Sequence, residues 1–224
     1  MERPYKLILN EIPAKGIGYL LLERPDALEA AMTEMIEKGA TTVLAKGALT
    51  EGETGGFSIT LAHSMLVMER SLECVPAPEG KLRLAPLTIG EAPVYIQIHN
   101  ENFFRVPNSA TIGRSELDKL LRPQERAGLA WLGTRPVGDY DCILEGEGKA
   151  LIDGIGLLKD LRGKGLGREL LRSVLALLKA EGCTACQLLV STANEAAFGL
   201  YRAEGFTVKE RQSTWYQVRR LGAV

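Results

Sequence analysis

Apolar and polar positions change period in a regular order along the second half of the chain. Lys81-Leu-Arg-Leu-Ala85 alternates, which predicts a strand. Residues 88–122 carry a mainly helical pattern, broken near Val106-Pro-Asn-Ser109. Ala127–Leu132 is strand-like, Gly133-Thr-Arg-Pro136 predicts a turn, and Val137–Leu144 and Ala150–Leu158 predict two further strands. An amphipathic helix over Arg168–Lys179 follows, then a strand over 185–190. A short helix from Asn194 ends at Gly205, and two closing strands follow, the first starting at Thr207. Alternating strands and helices of this kind predict an α/β protein with a mixed sheet. Pro76-Ala-Pro-Glu-Gly80 is the best linker candidate. The expected organisation is an N-terminal αβ segment over 1–76, a linker over 77–80 and a second domain over 81–224.

Composition narrows the functional classes. The formal net charge of −1 argues against a nucleic-acid or membrane partner. No apolar run approaches membrane-spanning length, and Met-Glu-Arg-Pro-Tyr-Lys lacks a signal-peptide core, so a cytoplasmic location is expected. Cys183-Thr-Ala-Cys186 has redox or zinc spacing, yet it opens an apolar strand-like run. The only histidines are His63 and His99, so the cysteines read as buried thiols and no metal is expected.

The most informative stretch is Arg162-Gly163-Lys164-Gly165-Leu166-Gly167, set between a strand and a helix. Glycines let backbone N–H groups converge without Cβ interference. The helix start adds orphan donors and a positive dipole end. Arg162, Lys164 and Arg168 add formal charge, so a phosphate-bearing ligand is expected. The spacing misses the P-loop pattern, having no Gly-Lys-Ser/Thr. It also lacks the third glycine of the dinucleotide fingerprint.

A second segment follows, Asn194-Glu-Ala-Ala-Phe-Gly-Leu-Tyr201-Arg-Ala-Glu-Gly205-Phe206. With the glycine turn it resembles the GNAT superfamily of acyl-CoA N-acyltransferases. One motif is met by Arg162, Gly165 and Gly167, the other by Asn194, Ala197, Leu200, Tyr201, Gly205 and Phe206. The resemblance covers about residues 81–219. It implies the GNAT fold and acetyl transfer from acetyl-CoA to a primary amine of a small molecule or peptide, by direct attack. It also implies that the main chain of Gly163, Lys164, Gly165, Leu166, Gly167 and Arg168 holds the coenzyme A diphosphate. Leu157 would pair with the pantetheine arm and polarise the thioester. Tyr201 would be the general acid toward the departing thiolate, though a core tyrosine fits the same helix face. Asn194 would face the cofactor arm or simply cap its helix. Asp153 is the candidate base, sharing a face with Ile155 and Leu157 by period-two alternation, with Asp141 and Glu145 as alternatives. Asn100, Asn102, Arg105 and Asn108, with Trp215 and Tyr216, are candidates for the acceptor side. An acyl-CoA-binding regulatory module without its own turnover is the competing function.

The N-terminal segment parallels the C-terminal half. Gly16-Ile-Gly-Tyr-Leu-Leu-Leu-Glu-Arg24 resembles Gly154-Ile-Gly-Leu-Leu-Lys-Asp-Leu-Arg162, and Gly56-Phe-Ser-Ile59 resembles Gly205-Phe-Thr-Val208. Such ordered matches suggest a degenerate GNAT repeat, with chance similarity of two αβ segments as the rival. In it Gly165 maps to Ala27 and Gly167 to Glu29, while Pro25 removes a donor, so this copy cannot hold a diphosphate. Thr50–Gly56 reads as loop. The segment is then a packing partner, a homodimer contact or a wall of the acceptor pocket.

Overall fold

The structure is a computed structural model that describes residues 3–222. The chain forms two compact units, one of residues up to Met65 together with those from Arg211 onward, the other of Leu66–Glu210. In the first unit the elements are β1 (Tyr5–Ile8), α1 (Ile12–Lys15), β2 (Ile17–Leu22), α2 (Leu28–Glu37), β3 (Thr42–Gly47) and β4 (Gly52–Thr54). β5 (Phe57–Ser71) begins in this unit and ends in the second. The second unit continues with β6 (Arg83–Pro86), α3 (Ala92–Phe103), α4 (Leu117–Leu120), β7 (Glu125–Leu132), β8 (Arg135–Gly146) and β9 (Lys149–Leu157). Then come α5 (Leu166–Ala180), β10 (Ala185–Ser191), α6 (Glu195–Ala203) and β11 (Thr207–Arg220), whose last part returns to the first unit.

In the second unit the strands lie in the order β5-β10-β9-β8-β7-β6. β6 to β9 are antiparallel neighbours and β9 and β10 are parallel. The two faces of this sheet carry different cores. Leu166, Leu170, Leu171, Val174, Leu175 and Leu178 recur at helical spacing on α5, and all are buried against Val137, Cys142, Ile152, Leu157 and Leu188. Tyr95 and Ile98 of α3 pack with Leu129 and Leu158 on the other side. Cys142, Cys183 and Cys186 are free buried thiols, and burial pushes Cys186 up to about 12.

The first unit repeats part of this plan. β2 and β3 are parallel, joined through a short 3-10 turn and α2, as β9 and β10 are joined through a 3-10 turn and α5. Ala31, Met32 and Met35 of α2 are buried with Leu20, Leu22, Val43 and Ala45. The last residues of β11 pair antiparallel with β3, Tyr216 opposite Ala45 and Val218 opposite Val43. Trp215 is buried with Tyr19, Leu44 and Met65 in this unit, and its ring lies 5.5 Å from that of Tyr19.

Four local expectations differ from what forms. The two closing strands are one continuous strand, in keeping with the lack of glycine, proline, asparagine and aspartate between Thr207 and Arg220. Residues 104–113 do not continue α3. The break expected at Val106–Ser109 is there, with Pro107 and the left-handed Asn108 (φ 61°), but it is wider than expected, and Asn100 clamps the departing chain by exchanging two 2.9 Å bonds with the Ile112 main chain. Thr50–Gly56 is a hairpin rather than a loop, with β4 paired to β5 across Gly55-Gly56. The Pro76–Gly80 segment lies inside the second unit and is pinned there, Glu79 and Lys81 N–H donating to the buried Glu169 carboxylate at 2.6 and 3.0 Å.

Candidate active site

The glycine turn opens α5 on two left-handed residues, Gly163 (φ 76°) and Gly165 (φ 80°), the latter being the N-cap. A Cβ at either would meet nothing within 4 Å, so there is open space beside both glycines. Among the described residues, the N–H groups of Gly163, Lys164, Gly165, Leu166 and Gly167 have no acceptor, whereas Arg168 N–H donates to Gly165 O at 3.1 Å. Five unsatisfied donors at the positive end of a 15-residue helix have the chemistry to receive an anion. The three cationic side chains rest on protein acceptors. Lys164 Nζ donates to Asp160 O at 2.9 Å, and Arg168 Nε pairs with Glu204 at 3.0 Å. Arg162 Nε donates to Leu157 O at 2.8 Å.

Beside the turn the sheet parts. β9 and β10 pair from Lys149 opposite Ala185 to Ile152 opposite Leu188, and among the described residues the rest of β9 is unpaired on that edge. Leu158 N–H donates to Val137 O in β8, so strand alternation turns the Leu157 and Ile155 amides toward the parted edge. In the first unit the corresponding strands stay paired to Leu22 opposite Gly47, and Ala48 N–H closes on Leu22 O at 3.1 Å.

α6 flanks the same cleft. Asn194 caps it, its side chain accepting from Ala197 N–H at 3.3 Å. Leu200 packs against the first turn of α5, since a Cβ on Gly167 would stand 3.8 Å from it. Tyr201 is buried in the α5-side core with its ring 5.7 Å from Phe206, and burial pushes its phenol up to about 12. No protein group among the described residues bonds its hydroxyl.

The face of β9 beneath α3 is polar, and a bulge makes it so. The β8–β9 register runs Asp141 opposite Gly154, then Cys142 opposite Ile152, leaving Asp153 as the extra residue. Asp153 therefore turns away from Ile155 and Leu157, which pack toward α5, and lies on the opposite face from the one simple alternation predicts. It is exposed and faces Lys119 Nζ of α4 at 3.7 Å. Nearby, burial pushes Asp141 up to about 7, helped by the charges of Asp153 and Glu125. Burial raises Glu125 as well. Glu125 Oε2 and Asp141 Oδ1 are sealed from solvent without a donor, which one proton shared between the two carboxyls supplies.

Two further polar residues, His99 and Asp139, belong to this face. Asp139 is fully buried and accepts from His99 Nδ1 at 2.9 Å and Asn102 Nδ2 at 2.7 Å. Their spacing of 40 residues left no local signal; only the expectation that α3 lies over β8 could have found them. Of the acceptor-side candidates, Asn102 joins this network, Asn100 is the structural clamp, and Trp215 and Tyr216 pack within the first unit.

The Asp141–Glu125 pair has a measurable consequence. A carboxyl raised from 3.8 to about 7 binds its proton more tightly folded than unfolded. That stability is complete below about pH 4 and lost as pH climbs through about 7. Asp141→Asn, whose amide can donate to Glu125, should flatten this dependence. At pH 8 it should be more stable than the wild type by at most about 4 kcal/mol. Urea midpoints at pH 5 and pH 8 check this; equal slopes for both proteins contradict it.

The chain matches the acetyltransferase (GNAT) family over residues 93–206, which spans β8, the parted strands, the glycine turn and the Tyr201 helix. The protein belongs to the GNAT acetyltransferase family. Members of this GNAT family use acetyl-CoA. The mycothiol acetyltransferase of Kocuria rhizophila is 25% identical over 176 residues, which are 67% of this chain and 56% of that protein. The chain thus spans little more than half the length of that relative. A GCN5-related N-acetyltransferase from Sphaerobacter thermophilus superposes with TM-score 0.63 over 96% of this chain and 74% of its own, at 18% identity. An acetyltransferase from Thermus thermophilus matches 64% of this chain and 99% of its own, at 26% identity and TM-score 0.52. The first likeness covers nearly the whole chain, so most of the N-terminal residues have a counterpart in that structure too. Among the described residues no helix is long and apolar enough to cross a membrane.

Proposed function

We propose that the protein transfers an acetyl group from acetyl-CoA to a primary amine of a small molecule or peptide by direct attack. The observation that carries this reading is the set of five unpartnered amides over Gly163–Gly167 beside a parted parallel strand pair. The amides fit a diphosphate. The gap fits the pantetheine arm, with the Leu157 amide free to pair with it as an added strand would. The same edge amides supply donors to the thioester carbonyl, whose oxygen gains charge as the amine attacks. Arg162 fixes the Leu157 peptide from the carbonyl side, while Lys164 and Arg168 add positive potential at the mouth of the turn. Tyr201 keeps its proton until the thiolate forms and then donates it. Asn194 sets the start of α6 and so the position of Tyr201. Asp153, exposed at the bulge, attracts the ammonium. The first unit serves as scaffold, since its paired β2–β3 edge leaves no gap for a second donor.

The test is a screen of primary amines, among them glucosamine, spermidine, a lysine tripeptide and mycothiol-related amines, with acetyl-CoA and a colorimetric readout of free thiol. Amine-dependent thiol release is expected. Tight acetyl-CoA binding with no release from any amine would favour a binding module instead.

A further inference from the structure

We infer that His99 is the base that takes the proton from the acceptor nitrogen, with Asp139 as its positioning residue. The inference rests on the acetyl-transfer reading and adds to it the group that accepts the proton.

The imidazole is held on every side but one. Its Nδ1 lies 2.9 Å from Asp139 Oδ2, and its ring stacks between Phe103 at 4.5 Å and Tyr95 at 5.9 Å. Its Cε1 lies 3.7 Å from where a Cβ on Gly154 would stand, so the ring sits over β9 at the bulge. The carboxylate can only accept, so Nδ1 carries the hydrogen and Nε2 presents a lone pair. Nε2 has no partner among the described residues, and 13% of the side chain remains exposed.

A chain of hydrogen bonds ties this ring to the parted strand edge. Asn102 donates to the other oxygen of Asp139 at 2.7 Å, Arg162 reaches Asn102 Oδ1 at 3.4 Å, and Arg162 Nε donates to Leu157 O at 2.8 Å. Leu157, whose amide faces the parted edge, and the His99 imidazole are thus tied to one network. No room is left for a side chain at Gly156, where a Cβ would stand 2.7 Å from both Asn102 Nδ2 and Asp139 Oδ1. Asp153 is held less: its side chain is 45% exposed and pairs with the half-exposed Lys119. The titratable and charged groups on the His99 face are Tyr95 of α3, Asp139 and Asp141 of β8, Asp153 of β9, Glu125 of β7, Lys119 of α4 and Arg162. Carboxyls outnumber cations there, which favours a positively charged acceptor.

The protons balance as follows. The ammonium gives one proton to His99 Nε2, which returns it to solvent. The nitrogen lone pair then forms the C–N bond, the C–S bond breaks, and the sulfur takes the Tyr201 proton. The second nitrogen proton leaves through His99 to solvent, and solvent reprotonates Tyr201. The products are the N-acetyl amine and free coenzyme A, with one proton released.

The chain has two histidines, which makes the test direct. Nitrogen-15 NMR of the imidazoles at pH 8 should show His99 as the neutral Nδ1–H form, with Asp139→Asn mixing the tautomers. An Nε2–H form in the wild type overturns the inference, and this measurement needs no amine and no refolded variant at His99. In kinetics with whichever panel amine turns over, His99→Gln should lower kcat/KM about 100-fold at pH 8 and change the shape of its pH profile. Its acetyl-CoA affinity by calorimetry should stay unchanged. His99→Gln with wild-type rate and profile refutes the base assignment while leaving acetyl transfer intact. A wild type that neither binds acetyl-CoA nor acetylates any amine refutes the transfer reading, and with it the base.

Discussion

Gly165→Glu should abolish acetyl-CoA binding, taking the affinity at least 100-fold below that of the wild type. Gly165 is left-handed at the N-cap of α5, and nothing lies within 4 Å of where its Cβ would be. The glutamate side chain therefore has space, and it starts from the middle of the five free amides in sequence. There its carboxylate competes for the donors meant for a diphosphate and repels the remaining phosphate charge. A 100-fold loss is about 2.7 kcal/mol, comparable to one or two charge-assisted hydrogen bonds. Backbone strain is the rival cause, because a left-handed non-glycine residue costs roughly 1–2 kcal/mol. Gly165→Ala carries that strain without the charge, so it should retain binding within about tenfold. Calorimetric titration of both variants decides; glutamate and alanine variants of equal affinity would remove the anion cradle from the account.

Tyr201→Phe should slow turnover roughly 100-fold while leaving acetyl-CoA affinity within a factor of about two. The substitution keeps the ring in the core beside Phe206 and removes only a hydroxyl that bonds no protein group. Stability should therefore change by less than about 0.5 kcal/mol. The lost step is proton delivery to a thiolate, whose ordinary pKa of about 8.5 lies below that of the buried phenol. With the phenol at about 12, transfer occurs only once charge has built up on a desolvated sulfur, so the effect belongs in kcat. Single-turnover rates with a panel amine measure it. A phenylalanine variant that matches the wild type when chemistry limits the rate would assign Tyr201 to packing alone.

Much of the site is local in sequence and was readable there. The glycine turn, the start of α5, the Asn194 cap and the placement of Tyr201 each depend on neighbours within a dozen residues. Propensity, capping and periodicity act at that range. Asp153 shows where such reading stops. Period-two alternation places it with Leu157, but the extra residue between Ile152 and Gly154 rotates it to the α3 face, and a bulge has no marker in one strand alone. The His99–Asp139 pair and the Glu125–Asp141 pair join separate elements through packing, which no window of sequence contains. The same holds for β5 and β11, each of which starts in one compact unit and ends in the other. The sequence predicts two strands where β11 forms, and only three-dimensional pairing shows which unit each end joins.

The central claim is that the amides of Gly163–Gly167 receive the diphosphate of coenzyme A. Backbone nitrogen-15 NMR during titration with coenzyme A, beside a parallel titration with pantetheine, tests it most directly. The account predicts downfield shifts of those five amide protons with coenzyme A and not with pantetheine. Saturable binding of coenzyme A that leaves the five resonances where they were would contradict it.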